Sequence, residues 1–300
     1  MASKLKTYLY SKERFFKTLY GLEFLKYILD YIKYKKNASN GKIAKPNAVY
    51  SYKVPIGNIK IKSPSLRLLE LMKTRYFNDY YLDQQKKYYD AIGLSNESTI
   101  VDVGANIGYY SLIYSLIYPD SQIYSFEPSE LNIPFLKYHA SQRQNIKIFN
   151  FGFHDKKDEL DIQMPSEQQS ASVSNDKNNT GLLSLYGVSG RLSEKIKLFS
   201  LDEKILKEKI IRERISFIKI DVEGNELKVL MGATGTLEMH KPILEIELNK
   251  SALLMAGTTP ENIVHFMKEI DYQPYIYADE KIQTMPKEIN PIQNVIFMPE

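Results

Sequence analysis

Residues 99–112 read Thr-Ile-Val-Asp-Val-Gly-Ala-Asn-Ile-Gly-Tyr-Tyr-Ser-Leu, and the fold turns on how this stretch is understood. The run at 100–103, rich in β-branched residues, predicts a short buried strand, and Gly104 and Gly108 then open a helix near Tyr109. The glycine spacing limits which ligand such a turn can hold. A dinucleotide-binding turn needs glycine at its first, third and sixth places, which here are Gly104, Asn106 and Tyr109, so two of the three fail.

The spacing fits another pattern. Acidic-x-Gly-x-(Gly or Asn)-x-Gly is filled by Asp102, Gly104, Asn106 and Gly108, with Ala105 inside the turn, and this is the pattern of S-adenosylmethionine (SAM) enzymes of the doubly wound class. Asn is acceptable at the middle place because it enters left-handed backbone conformations at little cost. The helix that follows offers N–H groups at its start. Taken alone, a turn with no ligand explains the motif equally well. A second strand at 123–126 ends in Glu127, about 20 residues past the turn, where doubly wound folds place the acid that accepts the ribose hydroxyls. The pair favours a ligand.

Composition sets outer bounds. Three hundred residues with 43% hydrophobic and 25% charged side chains predict a globular chain with a substantial core. Cysteine is absent, which excludes disulfides, thiolate metal sites and a cysteine nucleophile. Residues 1–45 hold eleven Lys or Arg against three Asp or Glu, a balance of +8; since the total is +4, the remaining 255 residues carry −4. An acidic body supplies no basic groove, so nucleic acid is not an expected partner.

No secretory signal or membrane-spanning run is expected at the start, because Lys, Glu or Arg interrupts the apolar residues every few positions. A cytoplasmic location is therefore expected. Between Lys12 and Lys36, apolar residues recur at helical spacing opposite a lysine-rich face. Such a helix either packs on its own domain or a second subunit, the commoner fate, or makes a peripheral contact with an anionic membrane. Residues 37–64 look like a linker crossed by two short strands about Pro55-Ile56-Gly57. The expected organisation is therefore an N-terminal helix and linker at 1–64 and one catalytic domain at 65–300.

Within that domain, helices are expected at 65–74, 131–141, 202–212, 225–231 and 260–270. A further helix follows the aromatic cluster at 76–81 and runs to about Ile92. A third strand at 146–151 closes at Gly152-Phe153-His154-Asp155, which makes Asp155 an adenine-binding candidate at a strand tip; His154 is expected to face solvent. Residues 156–195 turn polar and predict an insertion carrying a pair of short strands. The strand signal resumes at 196–201, 215–220 and 242–248, and an antiparallel pair at 273–278 and 294–298 ends the chain. The sum is an α/β fold: a doubly wound, mostly parallel seven-stranded sheet with helices on both faces and a C-terminal antiparallel hairpin.

Acids recur at the predicted strand ends, in Asp102, Glu127, Asp155, Asp221, Glu223 and Glu247. Asp221 and Glu223, after the fourth core strand, are placed to take the proton of an acceptor hydroxyl, with Glu247 supporting them from the neighbouring strand; alternatively the three hold a Mg²⁺ that polarises the hydroxyl. Glu226 is expected only to favour the start of the helix behind them.

The segments Val-Asp-Val-Gly-Ala-Asn-Ile-Gly-Tyr-Tyr-Ser at 101–111, Phe-Glu-Pro at 126–128, Leu-Asp-Glu at 201–203, Ile-Lys-Ile-Asp-Val-Glu-Gly-Asn-Glu at 218–226 and Lys-Pro-Ile-Leu-Glu-Ile-Glu at 241–247 resemble the FkbM family of SAM-dependent methyltransferases. The resemblance covers about residues 95–250. It implies a class I methyltransferase core and O-methylation of a sugar hydroxyl in a glycan or its precursor, or of a small polyketide-like alcohol. By the same likeness Asp102, Gly104, Asn106, Gly108 and Glu127 match cofactor positions, and Asp221, Glu223 and Glu247 match acids of unassigned role. A catalytically silent SAM-fold partner module is the third reading, against which the intact turn and Glu127 argue.

Overall fold

The computed structural model describes residues 49–54, 57–62, 79–165 and 190–300. The expected helices at 12–36 and 65–74, the first part of the 76–81 aromatic cluster and the middle of the polar insertion lie outside these residues. The chain enters with an antiparallel hairpin, β1 (Val49–Val54) and β2 (Gly57–Lys62), where two short strands were expected. Helix α1 (Asp79–Ala91) leads to β3 (Thr99–Val103), the 99–103 strand, whose five residues are all buried.

From β3 the chain alternates as its sequence implies: α2 (Tyr109–Ile117), β4 (Gln122–Phe126), α3 (Ile133–Ala140) and β5 (Ile146–Phe149). After the insertion come β9 (Phe217–Ile220), α4 (Glu226–Met231), α5 (Thr234–His240), β10 (Ile243–Asn249), α6 (Lys250–Met255) and α7 (Pro260–Glu269). The strands β11 (Tyr272–Ala278), β12 (Lys281–Thr284) and β13 (Ile292–Pro299) end the chain.

The main sheet has the order β12-β11-β13-β10-β9-β3-β4-β5. Strands β5, β4, β3, β9 and β10 are parallel, while β13, β11 and β12 pair antiparallel. The sheet thus has eight strands, not seven. The extra one, β12, is the short return of a hairpin at the sheet edge, and its alternation is too brief to register in sequence. Succession runs outward from β3 to β5 on one side and through β9 and β10 on the other, so the order reverses between β3 and β9. Ligands of such sheets bind beyond the strand ends at that reversal.

Both faces are covered, for a reason visible in the strand alternation. Ile100 and Phe217 pack with Leu82 and Tyr89 of α1 and Leu112 and Tyr114 of α2. Val101, Val103, Ile218 and Ile220 pack with Leu230 of α4, Leu237 of α5 and Met267 of α7. Helix α2 is buried over seven of its nine residues. Its two buried serines are both satisfied: Ser111 hydrogen-bonds Asp102 and Ser125, and Ser115 donates to Asn145 and accepts from Arg143.

The polar insertion builds a separate three-stranded sheet, ordered β6-β8-β7, from β6 (Gly152–Phe153), β7 (Asp158–Pro165) and β8 (Gly190–Phe199). Its strands are longer than the short pair expected, and the run at 196–201 belongs here and not to the main sheet. The helix expected from Asp202 to about Arg212 is also corrected. Beyond Asp202 a single wide turn forms over Glu203–Lys207, closed by Glu208 N–H donating to Glu203 C=O. Asp202 is engaged elsewhere: its carboxylate accepts from Gly235 N–H (2.9 Å), Thr236 N–H (2.7 Å) and Thr236 Oγ1 (2.7 Å), capping α5 from a distance. Among the described residues no helix is long and apolar enough to cross a membrane.

Candidate active site

The turn after β3 takes the conformation its residues favour. Gly104 and Gly108 have φ of +82° and +86°, and Asn106, at the place where glycine is commoner, has φ +53°. Gly104 N–H and Ala105 N–H both donate to Phe126 C=O (3.0 Å each), and Gly108 N–H closes the bend onto Ala105 C=O (2.8 Å). A side chain at Gly104 is impossible without displacement, since its Cβ would lie 2.0 Å from the carbonyl oxygen of Asp221. Helix α2 then starts with no side-chain cap and no acid in its first turn.

Glu127 meets this turn directly. Its Oε2 accepts the Asn106 N–H at 2.8 Å, while Oε1 accepts from Ser129 N–H (2.9 Å) and Asn132 Nδ2 (3.2 Å). Burial pushes its carboxyl up to about 7 even though these three bonds favour the charged form. The amide oxygens of Asn106 and Asn132 are buried with no hydrogen-bond partner among the described residues. A buried acid and two unsatisfied acceptors side by side fit a ligand rich in hydroxyl and amino donors, as the ribose, adenine and amino-acid ends of SAM are.

Asp102 sits differently from the position expected of a ligand contact. It is buried beneath the turn, where Ser111 Oγ donates to it at 2.5 Å, so it fixes α2 to β3. Asp155 is a correction. The third strand of the main sheet ends at Phe149, and the residues that follow cross to the small sheet, so Asp155 lies just beyond the two-residue β6 of that sheet and not at a strand tip of the main sheet. Its carboxylate holds Lys228 of α4 at 3.0 Å and His154 Nδ1 at 2.5 Å. Burial opposes its charge, but Lys228 and His154 outweigh that and hold it below the usual carboxylate range. His154 is buried, not solvent-facing, because its backbone packs against Gly232.

The acids after β9 and on β10 do converge. The parallel register pairs Asp102 with Lys219 and Lys219 with Glu245, and two residues further along each chain segment Gly104, Asp221 and Glu247 follow at the carboxyl edge. Asp221 N–H donates to Val103 C=O (3.1 Å), which ties the acid loop to the turn. Glu223 adopts φ +52°, and its carboxyl is driven well above the ordinary value by burial and by Asp221, Glu247 and Glu226. Glu247 is pushed up to about 7 by burial and by Asp221. Glu226 stands in the first turn of α4 as expected, and beyond that its Oε1 accepts the Val222 and Gly224 N–H groups (3.2 Å each), which pins the loop. Among the described residues no three His, Asp or Glu side chains are arranged to hold a metal ion, so the Mg²⁺ alternative has no ligand set there.

Three participants escaped the sequence reading. Lys219 and Glu245 look like strand-interior charges, yet both are buried. Their signal was a Lys and a Glu at alternating positions in otherwise apolar strands. Glu194 of the insertion accepts from Ser129 Oγ (2.6 Å) and Glu130 N–H (2.5 Å), bracing the loop after Glu127, and nothing in its sequence neighbourhood announces this.

The family model described as the methyltransferase FkbM domain matches residues 102–274. A protein called Methyltransferase 1 from Beauveria bassiana (strain ARSEF 2860) is 27% identical over 164 residues, covering 49% of this chain and 62% of that protein. Among solved structures, an FkbM methyltransferase from Methylobacillus flagellatus KT is 18% identical with a TM-score of 0.43, covering 68% of this chain and 44% of that one. Precorrin-6y C5,15-methyltransferase from Geobacter metallireducens GS-15 is 9% identical with a TM-score of 0.41, covering 74% and 89% respectively. The chain thus spans less than two thirds of the length of the first relatives it matches.

Proposed function

The chain belongs to the FkbM family of methyltransferases, and from that premise we propose that it transfers the methyl group of SAM to a hydroxyl of a sugar in a glycan or glycan precursor. The observation that carries this reading is the contact between the glycine turn and the acid loop: Gly104 has no room for a Cβ because Asp221 C=O fills the space. Donor-binding turn and acids are therefore held side by side.

When bound, SAM supplies a methyl carbon on a sulfonium sulfur, which keeps the bonding pair as that carbon leaves. Glu127, beside the turn, would hold the ribose hydroxyls, and the unpartnered amide oxygens of Asn106 and Asn132 would take donors from the rest of the ligand. Asp102, acting through Ser111, is a positioning residue for the turn. What remains is to align the acceptor, exclude water and remove a proton, because an alcohol is a weak nucleophile until a base assists it. Asp221, Glu223 and Glu247 are the acids at hand. A base is most effective when its pKa lies near the working pH, which the rise of Glu247 to about 7 meets.

Titration calorimetry with SAM, followed by labelled-methyl transfer to a panel of glycosides and simple alcohols read by mass spectrometry, tests the reading. Binding with transfer to glycosides supports it. Transfer to alcohols alone moves the acceptor to small molecules, and no binding reduces the chain to a silent module.

A further inference from the structure

The buried rung beneath the acids does more than fill the sheet. Lys219 lies on β9 between Asp102 of β3 and Glu245 of β10, its neighbours in the parallel register. It is 2% exposed, and its ammonium is 2.8 Å from Asp221 Oδ2 and 4.3 Å from the centre of the Tyr110 ring of α2. Both flanking acids are themselves tied to helices, Asp102 by Ser111 of α2 and Glu245 by the hydroxyl of Tyr88 of α1.

An isolated ammonium is not left in such a place, because burying an uncompensated charge costs several kcal/mol. Here burial works against the charge, but Asp221, Asp102 and Glu245 overcome it and keep Lys219 protonated. The cation thus cannot leave, and the carboxylate it holds is the one at the edge of the glycine turn.

We infer that Lys219 is a positioning residue of the transfer step: its buried ammonium clamps Asp221 in one orientation against the turn, so that Asp221 aligns the acceptor hydroxyl and Glu247 takes its proton. The inference rests on the methyl-transfer reading above. In that step the hydroxyl O–H bond breaks with its electron pair kept by oxygen, the proton binds a Glu247 carboxylate oxygen, and the oxygen forms its new bond to the methyl carbon as that carbon parts from sulfur. Asp221 holds the Lys219 ammonium through Oδ2, which gives it the aligning part and leaves the proton to Glu247. Among the described residues the charged groups that act on Glu247 are Asp221 and Glu223 from the loop, Lys219 from β9 and Glu245 from its own strand, and of these Lys219 alone is positive.

The test uses the full chain and needs no acceptor. Carboxyl C=O infrared difference spectra are recorded between pH 5 and 9, and the Glu247 component is taken as the signal that Glu247→Gln removes. In the wild type it titrates near neutral pH. In Lys219→Met the midpoint is expected to rise by at least about one pH unit, since the single cation acting on Glu247 is gone, and in Lys219→Arg it returns toward the wild-type value. A folded Lys219→Met with an unmoved midpoint overturns the inference. Lys219→Gln, which keeps a donor without the charge, replaces Lys219→Met if that variant does not fold. Loss of fold in both, with Lys219→Arg folded, would reduce Lys219 to a fold-stabilising charge and likewise overturn it. SAM calorimetry on the same wild-type sample separates the two claims, because its failure removes the methyl-transfer reading whatever the spectra show.

Discussion

Gly104→Ala is the substitution whose effect can be worked most fully from the structure. The residue has φ +82°, so an alanine there bears about 1–2 kcal/mol of left-handed backbone strain. Its Cβ would also lie 2.0 Å from Asp221 O, 3.0 Å from Asp221 C and 3.2 Å from Val222 Cγ1. Since the obstruction is backbone, no rotamer change relieves it, and the acid loop must shift. That shift stretches the Asp221 N–H to Val103 C=O bond, a further loss of about 1 kcal/mol. The sum is about 2–3 kcal/mol, or a fall in melting temperature of roughly 4–12 °C for a domain of this size.

Two internal controls grade the effect. Gly108→Ala meets the tip of a leucine, Leu136 Cδ1 at 2.6 Å, which can rotate away; Gly257→Ala, at φ +76°, meets nothing within 4 Å. Thermal unfolding followed by circular dichroism should therefore rank the losses Gly104 over Gly108 over Gly257, and SAM titration should show binding lost in the first and kept in the last. A Gly104→Ala protein as stable and as competent to bind as Gly257→Ala would refute the contact between turn and acid loop.

Three further outcomes follow from the same geometry. Glu127, Glu226 and Glu247 each rise from the ordinary 4.5 to about 7, so the folded state holds their protons more tightly than the unfolded one. Their contribution is complete below about pH 4.5 and is lost as pH rises through 7, by on the order of 1 kcal/mol per pH unit for each group; urea midpoints should fall between pH 5 and 7, less steeply in Glu226→Gln, and a rising midpoint would reverse the sign. Asp202→Ala removes three hydrogen bonds to the start of α5 and should cost about 1–2 kcal/mol in chemical unfolding, whereas an unchanged midpoint would deny the remote cap. Asp221→Asn should lower methyl transfer by at least about a hundredfold while SAM affinity stays within roughly threefold; full activity would remove Asp221 from the site.

What sequence disclosed and what it hid separate along a physical line. The strand, turn and helix at 99–112 were legible because local sterics dictate them: two glycines and an asparagine occupy the positive-φ places, and all three are found there. Glu127 was legible because its distance from the turn is fixed by one crossover helix. Asp155 was misplaced because the strand pattern at 146–151 runs past the end of the main-sheet strand at Phe149, where the chain leaves for the small sheet at Asn150, whose side chain bonds the carbonyls of Glu127 and Pro128. Asp202 carries a capping residue's identity but caps a helix 32 residues later, which no local rule foresees. Lys219 and Glu245 become meaningful only through the register of three strands far apart in sequence. Contacts fixed by neighbours in the chain could be read; those fixed by strand pairing could not.

The central claim is that the crevice formed by the glycine turn and Glu127 binds SAM. Calorimetric titration of SAM into the wild type and Glu127→Gln tests it most directly, because the amide offers one acceptor oxygen and a donor where the carboxylate offers two acceptor oxygens to the ribose hydroxyls. The account predicts one site in the wild type with a dissociation constant of roughly 1–100 μM and binding at least about tenfold weaker in the variant. Absence of binding in the wild type, or equal affinity in both, would contradict it.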